Sequence, residues 1–179
     1  MHDPALGDGD GLTGTASARA RAFDLSFARI PEVRTAEPVD LLSIRLGGDP
    51  FAIRLEQTAG LFADRRTTPV PGTIPEFRGL AGVRGALVPV FDLAALLGYA
   101  AAPAPRWLAA ARDGAIAFAF DAFEGQLRAT TDDVIAQNSG GRNHVREVVR
   151  VGGRTRQVVD LPALVAAIGR RATDPRKET

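Results

Sequence analysis

The residues able to do chemistry are few, and their spacing serves architecture more than catalysis. His2 and His144 are the two histidines; one lies near the N-terminus and the other beside a Ser139-Gly140-Gly141 loop. No histidine pair is therefore available to ligate a metal or to serve a nucleophile, and His144 reads as a solvated loop residue. The chain has no cysteine, which excludes a thiolate metal site and a disulfide framework. Asp92 and Asp160 stand in matching surroundings, Val-Phe-Asp-Leu and Val-Val-Asp-Leu. Each follows a strand-like run and precedes a helical one. That is the place of an N-cap, where a carboxylate accepts hydrogen bonds from the unpaired amide N–H groups of the first turn. The run Gly79-Leu-Ala-Gly-Val-Arg-Gly lacks the Lys and Ser/Thr of a phosphate loop. It does hold one cation, Arg84, among Gly79, Gly82 and Gly85. A guanidinium at the mouth of a buried strand must pair with a carboxylate inside the domain or face outward to a partner. The flanking glycines favour the second arrangement, because they let another backbone approach closely.

The elements that position these residues are legible around the same stretch. Ala86–Phe91 is six consecutive apolar residues bounded by Gly85, and reads as a buried strand. Asp92 then caps a helix over Leu93–Leu97, and Gly98 supplies the left-handed residue that closes it. The same pattern returns 68 residues later. Gly85-Ala-Leu-Val-Pro-Val-Phe-Asp-Leu-Ala-Ala-Leu-Leu aligns without gaps to Gly153-Arg-Thr-Arg-Gln-Val-Val-Asp-Leu-Pro-Ala-Leu-Val. Gly, Val, Asp, Leu, Ala and Leu coincide, which marks an internal repeat: two copies of a β unit, each ending in a strand, an Asp cap and a short helix.

The rest of the chain supplies more short strands. Residues 1–16 have little to bury and are expected to be disordered. Ala18–Arg29 fits a short amphipathic helix, with Phe23, Phe27 and Ile30 on one face, and fits a strand almost as well. The helix would pad the surface or dock a partner. Val39–Leu46 and Phe51–Leu55 flank Gly47-Gly48-Asp49-Pro50, a hairpin signal. Thr58–Phe62 continues the apolar pattern. Ala100–Arg106 reads as a linker between the two repeats, Trp107–Ala111 and Ala115–Phe120 as strands, Phe123-Glu124-Gly125 as a turn, and Gln126–Ala129 as a short strand. Asp132–Asn138 is ambiguous and 139–143 is a loop. Val145–Val151 and Arg154–Val159 form a last hairpin, after which Asp160 caps Leu161–Ile168 with Gly169 as its stop. Nine or ten short strands with two or three short helices indicate an all-β sandwich or barrel.

Composition narrows the function. With 179 residues, of which 45% are hydrophobic, the chain can bury about 70% of its unfolded surface. It carries 22 basic and 21 acidic residues, a formal net charge of +1. That balance gives no general field for nucleic acid or an anionic membrane, and one Trp and one Tyr make a thin platform for stacking bases. The N-terminus lacks an apolar signal core and no apolar run reaches membrane-spanning length, so the expectation is a soluble, cytoplasmic protein. With no catalytic, metal or cofactor constellation, the expectation is a non-catalytic β domain that binds other proteins.

The stretch Phe77–Gly98 resembles the signature of CheW-like domains, in which a Gly is followed by an Arg-Gly pair and then by apolar-apolar-Pro-apolar-apolar-Asp-Leu. Gly79, Arg84, Gly85, Pro89, Asp92 and Leu93 fall on those positions, and the resemblance spans about Val39 to Gly169. It implies two small five-stranded, SH3-like β barrels packed together, over residues 38–170, with an N-terminal extension (1–37) and a flexible tail (171–179). It also implies an adaptor in chemosensory arrays, binding the regulatory domain of a CheA-type histidine kinase and the cytoplasmic tip of methyl-accepting chemotaxis receptors. Carried onto this chain, Arg84 with Gly79, Gly82 and Gly85 forms part of the partner-binding region, together with Thr58, Leu61 and Phe62. Asp92 and Asp160 remain structural caps. The sequence departs from the pattern at Gly82, where the family often has Asn, and at Thr58–Leu61, which lacks the family's acidic residue. The alternatives are the same fold in another kinase pathway, such as pilus motility, or an OB-like barrel binding single-stranded nucleic acid.

Overall fold

The computed structural model describes residues 36–112, 115–137 and 144–173. The chain divides into two units, Met1–Thr35 and Ala36–Thr179, and every described residue lies in the second. The expectations for residues 1–16 and 18–29, for the 139–143 loop and for the tail beyond residue 173 fall outside the described residues.

Twelve strands and two α-helices make up the described unit. In chain order they are β1 (Pro38–Leu46), β2 (Asp49–Arg54), β3 (Thr58–Ala63), β4 (Thr67–Thr68), β5 (Phe77–Val83), β6 (Ala86–Asp92), α1 (Leu93–Leu96), β7 (Trp107–Ala111), β8 (Ala117–Phe120), β9 (Ala122–Thr130), β10 (Val134–Ala136), β11 (Val145–Val151), β12 (Arg154–Val159) and α2 (Leu161–Thr173). Short 3-10 turns at Leu55–Gln57 and Thr131–Asp133 precede β3 and β10. The fold is all-β with short helices.

The strands form two six-stranded sheets, β10-β11-β12-β2-β1-β9 and β4-β5-β6-β8-β7-β3. Position by position the two orders correspond, and in each the third and fourth strands are parallel: β12 with β2, and β6 with β8. The repeat in the sequence is therefore a repeat of structure. One copy runs from β1 through α1 and the other from β7 through α2. Each copy splits, lending its first hairpin to the sheet built from the last four strands of the other. Ala100–Arg106 joins the two copies in sequence, yet the strands on either side of it, β6 and β7, belong to the same sheet. Five long strands per sheet match the expectation. The sixth is an edge strand of two residues in β4 and three in β10, too short for periodicity to reveal.

Alternation along the strands sorts side chains into three cores. In β8 the Phe118 and Phe120 rings join a core shared by both sheets, while Ala117 and Ala119 face a small cluster within their own sheet. The shared core also takes Leu42, Ile44, Phe51 and Ile53 from the first sheet, Leu93 from α1, and Leu161, Leu164 and Ile168 from α2. Val39, Leu41, Ala52, Ala129, Val149 and Val158 form the corresponding cluster within the first sheet.

Three local expectations are corrected. Phe123-Glu124-Gly125 is no turn. It is a bulge inside the nine-residue β9, where the register against β1 shifts at Ser43/Ile44 and Gly125 takes φ +140°. The bulge turns Glu124 onto Ser43 Oγ at 2.8 Å and Arg45 Nε at 2.6 Å, so the residues that signalled a turn are held by a cross-strand polar cluster. Gly169 does not stop α2, which runs on to Thr173. Arg170 and Arg171 in its last turn complement the helix dipole, and the Thr173 hydroxyl donates to the Gly169 carbonyl at 2.9 Å. In β6, Ala86 and Leu87 are exposed instead of buried.

Candidate functional site

β5 and β6 pair from Phe77↔Phe91 to Val83↔Ala86, leaving Arg84-Gly85 as a two-residue turn. Their φ angles are +49° and +84°. Two successive left-handed residues are the mark of a type I′ turn, whose twist suits a hairpin and whose usual occupants are Asn and Gly. An arginine there costs about 1 kcal/mol. The corresponding turn of the second copy, Gly152-Gly153, adopts +59° and +72° with no such cost. Arg84 thus occupies a strained position that the fold itself fills with glycine elsewhere, and such strain is commonly kept for function.

The turn presents Arg84 at an exposed tip. Its guanidinium lies 5.8 Å from the centre of the Phe62 ring, and that of Arg65 lies 5.6 Å from the same ring. Phe62, on β3, is half-buried against the cluster of Ala81, Val83 and Val88, so the ring is a fixed platform. Each cation gains roughly 0.5–1 kcal/mol from it. Among the described residues neither arginine has a carboxylate partner. Gly60 makes room for this stack, since a Cβ there would stand 3.1 Å from Arg84 Nη2 and 3.2 Å from Phe62 Cζ. Of the residues anticipated for partner binding, Arg84, Gly82, Gly85 and Phe62 meet here. Arg65, Gly60 and the 75%-exposed Leu87 complete the tip. Sequence reasoning passed over Arg65 and Gly60 because only the folded β3 brings them to the hairpin.

Gly79, Thr58 and Leu61 face elsewhere. Gly79 is buried at φ +125°, and a Cβ on it would fall 2.0 Å from the Thr68 carbonyl oxygen. Its role is to let β4 lie against β5. The Thr58 hydroxyl donates to the Leu55 carbonyl at 2.9 Å, and Leu61 packs on the shared core.

The two aspartates hold helix starts. Asp92, 1% exposed, accepts from Ala95 N–H at 2.9 Å, from Arg78 Nη1 at 2.8 Å and from Ala102 N–H at 3.1 Å. It therefore caps α1, pairs with Arg78 and anchors the segment that follows α1. Asp160 accepts from Ala163 N–H at 3.0 Å and lies 3.7 Å from Arg146. His144 is half-buried rather than fully solvated: its Nδ1 is buried with no hydrogen-bond partner among the described residues, and burial lowers its pKa. No group of three or more His, Asp or Glu side chains able to hold a metal occurs among the described residues.

The described residues thus form a two-sheet β domain with an exposed, strained arginine tip. The family model for the CheW-like domain matches residues 40–169, and the chain belongs to that family of non-catalytic chemotaxis scaffolds. The crystal structure of the scaffolding protein TtCheW from Thermoanaerobacter tengcongensis has a similar fold, with a TM-score of 0.62 at 13% sequence identity over 69% of this chain and 89% of that one. No curated protein matches the sequence.

Proposed function

We propose that this protein is a chemosensory coupling adaptor that binds the regulatory domain of a CheA-type histidine kinase and the cytoplasmic tip of chemoreceptors. No helix of the described residues is long and apolar enough to cross a membrane, and the proposed site of action is the cytoplasmic face of the receptor array. The observation that carries the reading is Arg84: a cation held at φ +49°, stacked on Phe62 and without a carboxylate partner among the described residues, is complementary to an acidic partner. Several modest contacts of this kind, repeated in a lattice, hold an assembly that no pair would hold alone. The test is co-sedimentation of the purified protein with its cognate kinase and receptor fragment. Arg84→Ala is expected to keep its melting transition and to lose the ternary assembly. Wild-type protein that binds neither component refutes the reading.

A further inference from the structure

On a solvent-facing hairpin the outward positions should be polar. Those of β5 and β6 are Leu80 opposite Pro89 and Gly82 opposite Leu87; the inward positions, Ala81, Val83, Val88 and Val90, already form the cluster within the sheet. Both faces of this hairpin are therefore apolar. Gly82 is exposed, and nothing lies within 4 Å of where its Cβ would be. It leaves a notch beside Leu87, which is 75% exposed.

The second copy provides an internal comparison. Its hairpin has the same register, with Val148 opposite Gln157 and Arg150 opposite Thr155. Arg150 stands where Gly82 does, Thr155 where Leu87 does, and Gln157 where Pro89 does. The fold thus accepts polar residues at three of these four positions, and folding does not require the apolar stripe of the first copy. Arg84, with Arg65, lies at the end of that stripe, where the equivalent of Arg84 is Gly152.

We infer that the outer face of the β5–β6 hairpin docks a protein segment carrying a bulky apolar side chain beside a carboxylate. The apolar group seats over Gly82 against Leu87, and the carboxylate meets Arg84 and Arg65. The inference rests on the adaptor reading and specifies the chemistry of the partner. A protein segment fits better than nucleic acid, because the Phe62 ring already carries two guanidinium groups and an exposed leucine gains nothing from a phosphate backbone.

The test uses the full chain with Gly82→Arg and Leu87→Thr, residues the second copy carries at equivalent positions. Their melting transitions should match wild type. Affinity for the purified kinase regulatory domain and for the receptor fragment is measured separately by calorimetry. Each substitution should weaken binding to one of these by about tenfold or more. A photo-crosslinking residue at position 87 should capture a segment of that component with Asp or Glu close to a bulky apolar residue, and exchanging that acid for Arg should be rescued by Arg84→Glu. Wild-type affinity in both variants, with Arg84→Ala still defective, overturns the stripe and leaves the adaptor reading standing. If wild type binds neither component, the adaptor reading falls and the stripe's partner with it. A concentration-dependent dimer dissolved by Leu87→Thr, or tight binding of an oligo-dT probe lost in Arg84→Glu, would assign the face to another occupant and refute the inference.

Discussion

Replacing either cap aspartate by alanine removes one carboxylate from one helix start, yet the two substitutions should differ severalfold in effect. Asp160 bonds to Ala163 N–H, and its side chain is 25% exposed with Arg146 3.7 Å away. Water replaces much of what it loses, so Asp160→Ala should cost about 1 kcal/mol, the usual value of an N-cap. Asp92 is buried and has three donors, including Arg78, whose side chain is 26% exposed. Asp92→Ala loses the cap and strands a partly buried guanidinium together with the Ala102 N–H. Breaking a buried pair from one side costs about 3–5 kcal/mol, and the partial exposure of Arg78 favours the low end. A total of about 3–4 kcal/mol follows, which for a domain of this size lowers the melting temperature by roughly 10–15 °C, against roughly 3 °C for Asp160→Ala. Asp92→Asn is the sharper control. Its carbonyl can still accept from Ala95, but its amide then points donors at Arg78 and Ala102, so most of the loss should persist. The assay is urea unfolding followed by the fluorescence of Trp107, the only tryptophan. Equal losses for Asp92→Ala and Asp160→Ala, or full stability in Asp92→Asn, would refute the role given to Arg78.

Three further outcomes are expected. Arg84→Gly should stay within about 0.5 kcal/mol of wild type, because relief of the left-handed strain offsets the lost stack and the added freedom of the unfolded chain; a loss of about 2 kcal/mol or more in urea unfolding would make Arg84 a structural residue. Gly79→Ala should cost about 3 kcal/mol or more, since its Cβ would meet backbone, the Thr68 carbonyl, at 2.0 Å and neither strand can yield; soluble, wild-type-like protein would contradict the packing of β4 on β5. His144 has a folded-state pKa below the ordinary 6.5, so its neutral form stabilises the fold fully above pH 6.5, and that contribution is lost as pH falls through the lower folded value. Melting temperatures should therefore decline from pH 7 toward pH 5 and decline less in His144→Leu, while a histidine NMR titration giving His144 an ordinary pKa would reject this.

What the sequence determined by itself was local. Period-two alternation placed most strands, because a half-buried strand must alternate whatever it pairs with. The Asp-Leu motif located both helix starts, since an N-cap satisfies donors within three residues of itself. The offset copy of Gly85–Leu97 disclosed the repeat, and the Arg-Gly signature pointed to the tip. Partnership was decided only by tertiary structure. Periodicity tells which face of a strand is buried and nothing about the strand beside it, so the exchange of hairpins between the copies left no local trace. Phe51 pairs in parallel with Gln157, a contact that no turn between them specifies. The same limit hid Arg78 from Asp92 and Arg65 from Phe62 and Arg84. It also made Leu87 look buried: an unbroken apolar run signals two covered faces, and the sheet covers only one of them at the hairpin tip.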